Sequence, residues 1–99
     1  MQIREMQAEA YTNKLEKGFN VTDVNKEFCL LYGEVAEAYD AWRKKKESVG
    51  EELAEVMIYL LGISEIIGVD LQSEMENKIV INRNRRYEYV DDVLRRIEE

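Results

Sequence analysis

Two stretches decide the fold: Val24–Trp42, VNKEFCLLYGEVAEAYDAW, and Ser48–Ile67, SVGEELAEVMIYLLGISEII. In the first, Val24, Phe28, Leu31, Val35, Ala38 and Trp42 recur at intervals of 4, 3, 4, 3 and 4, the spacing of one face of an α-helix. Thr22 or Asp23 can cap its start, and Arg43 to Lys46 place cations at its C-terminal dipole. The second opens on Ser48-Val49-Gly50-Glu51, the pattern of a capping box, and ends before Gly68. From Val56 to Ile63 every position is apolar or small, so this helix is apolar around most of its circumference. Three neighbouring helices of similar length cannot cover it, which predicts a homodimer or homotetramer with this third helix central.

Outward from this pair, the pattern predicts a first helix over roughly Gln2 to Lys17. Its inward positions are Ile3, Met6, Ala10 and Leu15, and Gly18 ends it. Asp70 caps a fourth helix that carries Leu71 and Met75 and runs toward Asn84 or Arg86. Tyr87 to Ile97 reads as a final helix or an extension of the fourth. The expectation is an all-α bundle of four to five helices in a single domain over residues 1–99, with no linker or repeat.

Composition agrees with long helices: 45% apolar and 35% charged residues, five Gly and no Pro in 99 residues. A chain this short has a thin core of its own. Fourteen basic against twenty-one acidic residues give a net charge of -7, so no nucleic acid partner is expected. The longest uncharged run, Val56 to Ser64, falls far short of the ~20 residues that span a bilayer, and the first residues lack a signal-peptide pattern. No membrane association and a cytoplasmic location are therefore expected. Cys29 reads as a small buried hydrophobe, and Trp42 and Tyr59 as core.

Residues three apart on a helix share a face, so Glu34/Glu37 and Glu52/Glu55 each present two carboxylates side by side. Glu88/Asp91 has the same spacing and is assigned to solvent. What separates the first two pairs is their surroundings. Glu52 and Glu55 begin a row continued by Tyr59, Gly62 and Ile66, and Glu34 and Glu37 lie between Leu30 and Ala41. Desolvation and mutual repulsion make uncompensated carboxylates costly there unless a cation neutralises them. Two antiparallel helices joined near Lys46 would bring the pairs together. With no His, the site would be all-oxygen and would favour magnesium, with manganese possible, over zinc or copper. The same acids could instead line a solvated groove or pair with lysines across the bundle. In the fourth helix, Leu71, Met75, Lys78, Asn82 and Arg85 keep helical spacing while turning from apolar to donor-rich. Lys78, Arg83, Arg85 and Arg86 could receive phosphate oxygens or form a solvated basic helix end.

Taken together, GEVAEAYDAWRKK at Gly33–Lys45, GEELAEVMIYLLGISEIIGVDLQSEM at Gly50–Met75, and Lys78, Asn82 and Arg85 resemble the MazG-like all-α nucleoside triphosphate pyrophosphohydrolases. The resemblance covers about Leu30 to Arg86. It implies an oligomeric helical module that binds Mg²⁺ through acidic motifs and cleaves a nucleoside triphosphate to the monophosphate and pyrophosphate. Carried over, the metal ligands are Glu34, Glu37, Glu52 and Glu55, and the phosphate ligands are Lys78, Asn82 and Arg85. Glu55 departs from the family's usual Asp at that place. Glu37 or Glu55 is the expected proton acceptor for the attacking water, making these two the candidate catalytic residues. Phosphoribosyl-ATP pyrophosphohydrolase and a non-catalytic module that binds a nucleotide or a partner are the competing readings.

Overall fold

A computed structural model of the protein describes residues 1–97. Glu98 and Glu99, which the single-domain reading includes, lie outside the described residues. Four helices follow one another: α1 Ile3–Lys17, α2 Val24–Arg43, α3 Val49–Ile67 and α4 Leu71–Asn84. An antiparallel hairpin closes the order, β1 Arg86–Val90 and β2 Val93–Ile97. The most extensive packing is α2 against α3, followed by α1 against α3, so α3 is central within the chain. α4 packs on α1. Among the described residues no helix is long and apolar enough to cross a membrane.

The helix ends follow simple backbone chemistry. The Asp23 carboxylate accepts from Lys26 N at 3.1 Å, and Asp70 from Ser73 N at 3.4 Å, each satisfying a donor that the first turn leaves orphaned. Gly18 and Gly68 end α1 and α3 at φ 73° and 76°, a left-handed conformation that costs glycine nothing. Ser48 does stand at the N-cap of α3, but its side chain makes no cap bond, so the expected capping box does not form. Its ψ of 1° keeps Ser48 out of the extended conformation that aims a cap hydroxyl at the first turn.

The buried faces are rotated from those expected. α2 turns Glu27, Leu31, Ala38 and Ala41 inward, while Val35 and Trp42 are 48% and 67% exposed. Trp42 lies on the surface with its ring centroid 6.2 Å from that of Tyr39, and Cys29 is exposed rather than buried. On α1 the inward row is Ile3, Gln7, Ala10 and Lys14, and Met6 and Leu15 point outward. Polar groups occupy two of those four places because each has partners. Gln7 donates to Glu65 Oε2 and to Val69 O at 2.8 and 2.7 Å and accepts from Leu71 N at 3.2 Å, bolting α1 to the α3–α4 turn. Apolar periodicity alone cannot place such residues, since it counts them against burial.

The expected final helix is a hairpin. Tyr87, Tyr89, Val90, Val93 and Leu94 are aromatic or branched, with strand preference, and Asp91 and Asp92 supply the turn at φ 52° and 64°. Positive φ at both central residues is the turn geometry whose twist matches a two-residue hairpin, and Asp tolerates it better than most side chains.

Candidate metal centre

The turn over Lys44–Ser48, with Lys45 at φ 55°, reverses the chain and lays α3 antiparallel along α2. It brings three of the four predicted acids together: one carboxylate oxygen from each of Glu34, Glu37 and Glu52 lies within 4.8 Å of the others. Glu34 and Glu52 are half-buried, and Glu37 is exposed. Glu55 stands one turn further along α3, outside that tight group but close enough for its charge to act on Glu34. Among the described residues ion pairs join Arg4 to Asp70, Lys14 to Glu27, and Asp40 to Arg43, Lys44 and Lys46, and none of these reaches Glu34, Glu37, Glu52 or Glu55.

The electrostatic consequence falls on Glu34. Partial burial first, then the charges of Glu37, Glu55 and Glu52, hold its acid above the ordinary carboxylate range, and Glu37 is near enough to share a proton with it. Converging oxygens, no side-chain cation and a carboxyl that resists ionisation fit a hard divalent ion, which would remove the repulsion that the protein does not relieve itself.

Tyr59 borders the cluster one turn beyond Glu55. Burial, followed by the charge of Glu34, raises its phenol above the ordinary value, so it stays a neutral hydrogen-bond donor at pH 7. A cleft of about 220 Å³ beside it is lined by Asn13, Lys14, Phe19, Glu55, Tyr59 and Gly62, running from the acids toward the α1–α2 turn. Lys14 crosses the floor of this cleft to reach buried Glu27, which also accepts from Asn20 Nδ2 at 3.1 Å. Sequence reading missed Glu27 and Lys14. The available signal was the row Glu27, Leu31, Glu34, Ala38, Ala41, whose spacing of 4, 3, 4 and 3 matches the expected face with Glu34 on it.

The basic residues of α4 are not among the groups that converge with the acids. α4 packs on α1, none of its residues is buried, and Arg85 donates to Asn82 Oδ1 at 3.1 Å. Lys78 and Asn82 are exposed. Among the described residues no hydrogen bond or ion pair joins Lys78, Asn82 or Arg85 to Glu34, Glu37, Glu52 or Glu55.

No protein-family profile matches the chain, and no curated protein matches it. Among solved structures, the fold is similar to a cyanophage S-2L MazG-like pyrophosphohydrolase bound to dGDP and three catalytic Mn²⁺ ions per active site. The TM-score is 0.71 at 23% identity, over 99% of each chain. The chain thus has the all-α fold of a MazG-like pyrophosphohydrolase.

Proposed function

We propose that the protein is a divalent-metal-dependent nucleotide pyrophosphohydrolase. It would hydrolyse (deoxy)nucleoside triphosphates to the monophosphate and pyrophosphate, in clearance of unwanted nucleotides in the cytoplasm. The observation that carries this reading is the convergence of Glu34, Glu37 and Glu52 without a side-chain cation. The likeness in fold to a nucleotide-bound, Mn²⁺-loaded pyrophosphohydrolase supports it.

Glu34, Glu37 and Glu52 would hold Mg²⁺ or Mn²⁺, with Glu55 completing the acidic wall. Such an ion, when bound, neutralises triphosphate oxygens and lowers the pKa of a coordinated water. Glu37, which is exposed, or Glu55 would accept the proton of the attacking water. Neutral Tyr59 can donate a hydrogen bond beside the acids without adding to their charge. The cleft lined by Asn13, Phe19 and Tyr59 offers an aromatic face and an amide for the nucleoside end. Lys78, Asn82 and Arg85 are proposed to hold the pyrophosphate oxygens; a second copy would have to bring them near, as part of a homo-oligomer with α3 central. The exposed apolar residues Leu53, Met57 and Ile58 on α3 support that assembly.

The test is incubation of the protein with the common nucleoside triphosphates and phosphoribosyl-ATP, with Mg²⁺ or Mn²⁺, read out as pyrophosphate and monophosphate. Metal-dependent pyrophosphate from common nucleotides supports the proposal. Release from phosphoribosyl-ATP alone would move the substrate, and no release from any would leave a binding module.

A further inference from the structure

We infer that Lys14 is a specificity-determining residue: its ammonium selects nucleobases that present a ring carbonyl oxygen and rejects those that carry an amino group in its place. Such selection rests on the reading above, in which the nucleoside end of the substrate lies in the cleft beside Glu55 and Tyr59.

Lys14 is held in that cleft by the helices it crosses. Its stem lies against α3 at Gly62, where a Cβ would stand 3.3 Å from Lys14 Cδ, so the lack of a side chain there lets it pass. The ammonium ends beside Glu27 of α2 and 5.6 Å from the centroid of the Tyr59 ring. Its freedom is thus removed before a ligand arrives, which lowers the cost of a selective contact. Lys14 borders the cleft of about 220 Å³ and a second one of about 330 Å³. Tyr59 and Phe19, the latter 57% exposed, also border both, so a flat ring stacked on either shares its enclosure with the ammonium.

Donors and acceptors decide the class of base. An ammonium has three protons to donate and no acceptor. Among the described residues the Lys14 ammonium donates to Glu27, which leaves protons for a ligand. The carboxylate that could have received an amino group is committed. Glu27 accepts from Lys14 on Oε1 and from Asn20 Nδ2 on Oε2, with 2% of its side chain exposed. Asn13 does not discriminate, because its amide offers both a donor and an acceptor. Lys14 is therefore the group that tells one base from another, since lysine pairs with an oxo group where a free carboxylate would pair with an amino group. A phosphate is the poorer match for it, because Glu27 already neutralises the ammonium and would repel an added anion.

The test compares kcat/KM in Mn²⁺ for two matched pairs, inosine against adenosine triphosphate and uridine against cytidine triphosphate, each an oxo base against its amino counterpart. The oxo member should lead by roughly 5- to 150-fold in the pair that the cleft admits. Lys14→Met with Glu27→Gln removes both charges together, and the preference should vanish. A residue that only tied the helices would lower both members alike and keep their ratio. Calorimetric binding of the four corresponding monophosphates to the wild type, in Mn²⁺, is the second readout and decides if circular dichroism shows the double variant unfolded. Equal kcat/KM within both pairs, a lead for the amino member, or a ratio that survives the double variant would overturn the role of Lys14 and leave the hydrolase reading intact. If no triphosphate is cleaved, the hydrolase reading fails and monophosphate binding is the arbiter: tighter binding of the oxo member upholds the selection, and equal or absent binding overturns it.

Discussion

Lys14 on α1 and Glu27 on α2 form an ion pair nearly sealed from solvent, with 13% and 2% of their side chains exposed. Lys14 passes close to Gly62 of α3, where a Cβ would lie 3.3 Å from Lys14 Cδ, and its ammonium lies 5.6 Å from the Tyr59 ring centroid. One side chain thus ties three helices together next to the acidic cluster. Lys14→Met should cost about 3–5 kcal/mol, because it strands a buried carboxylate. Adding Glu27→Gln should restore a large part of that loss. Urea unfolding of the two single variants and the double variant checks it, and additive losses would show that the pair is not coupled.

Glu34 predicts opposite effects on stability and on metal binding. Its acid is raised above the ordinary value of 4.5. Below 4.5 both folded and unfolded chains hold the proton, so this group adds no pH dependence. As pH climbs toward the raised value the unfolded chain releases the proton first, and stability falls across that window and stays lowered above it. Glu34→Gln should therefore raise the melting temperature of metal-free protein at pH 7 and abolish the increment given by Mn²⁺. Thermal unfolding in chelator and in Mn²⁺, between pH 4 and 8, measures both. A metal-free variant less stable than wild type would refute the repulsion.

The Glu34/Glu37 and Glu52/Glu55 pairs were legible because helical spacing fixes which side chains share a face, and a short turn between two helices fixes their approach. The same reasoning placed all four helices. It put the inward face of α2 off by one residue, because a row built from apolar residues has no place for Glu27, which is buried against Lys14. It extended helix into Tyr87–Ile97 because apolar residues there fit both periods, and only the two aspartates at positive φ settle the strand. Lys78, Asn82 and Arg85 share a helix face, yet spacing says nothing about which other helix that face meets.

Arg4 and Asp70 fasten α4 to α1 through a guanidinium–carboxylate contact of 2.8 Å that lowers the Asp70 acid below its ordinary value. A lowered acid stabilises the fold above 3.8, and that contribution is lost as pH falls through the lowered value. Arg4→Gln should therefore reduce the melting temperature modestly at pH 7 and have no effect once Asp70 is protonated. A reduction that persists at the acid end would assign the effect to the Arg4 bond to Ser73 instead.

The acids and the basic helix should separate in kinetics. Glu37→Gln removes the proposed proton acceptor, so turnover should fall by roughly 10²–10⁴ while KM changes little. Lys78→Ala removes one charge-assisted phosphate bond worth ~1.5–3 kcal/mol, which is roughly a 10- to 150-fold loss in kcat/KM. Mn²⁺ affinity should be unchanged in Lys78→Ala, since Lys78 is exposed on α4 and not among the converging oxygens. Calorimetric titration of Mn²⁺ alongside steady-state pyrophosphate release distinguishes the two. If Lys78→Ala weakened the metal as much as the substrate, the phosphate role of α4 would be wrong. The acidic cluster would then account for the whole site.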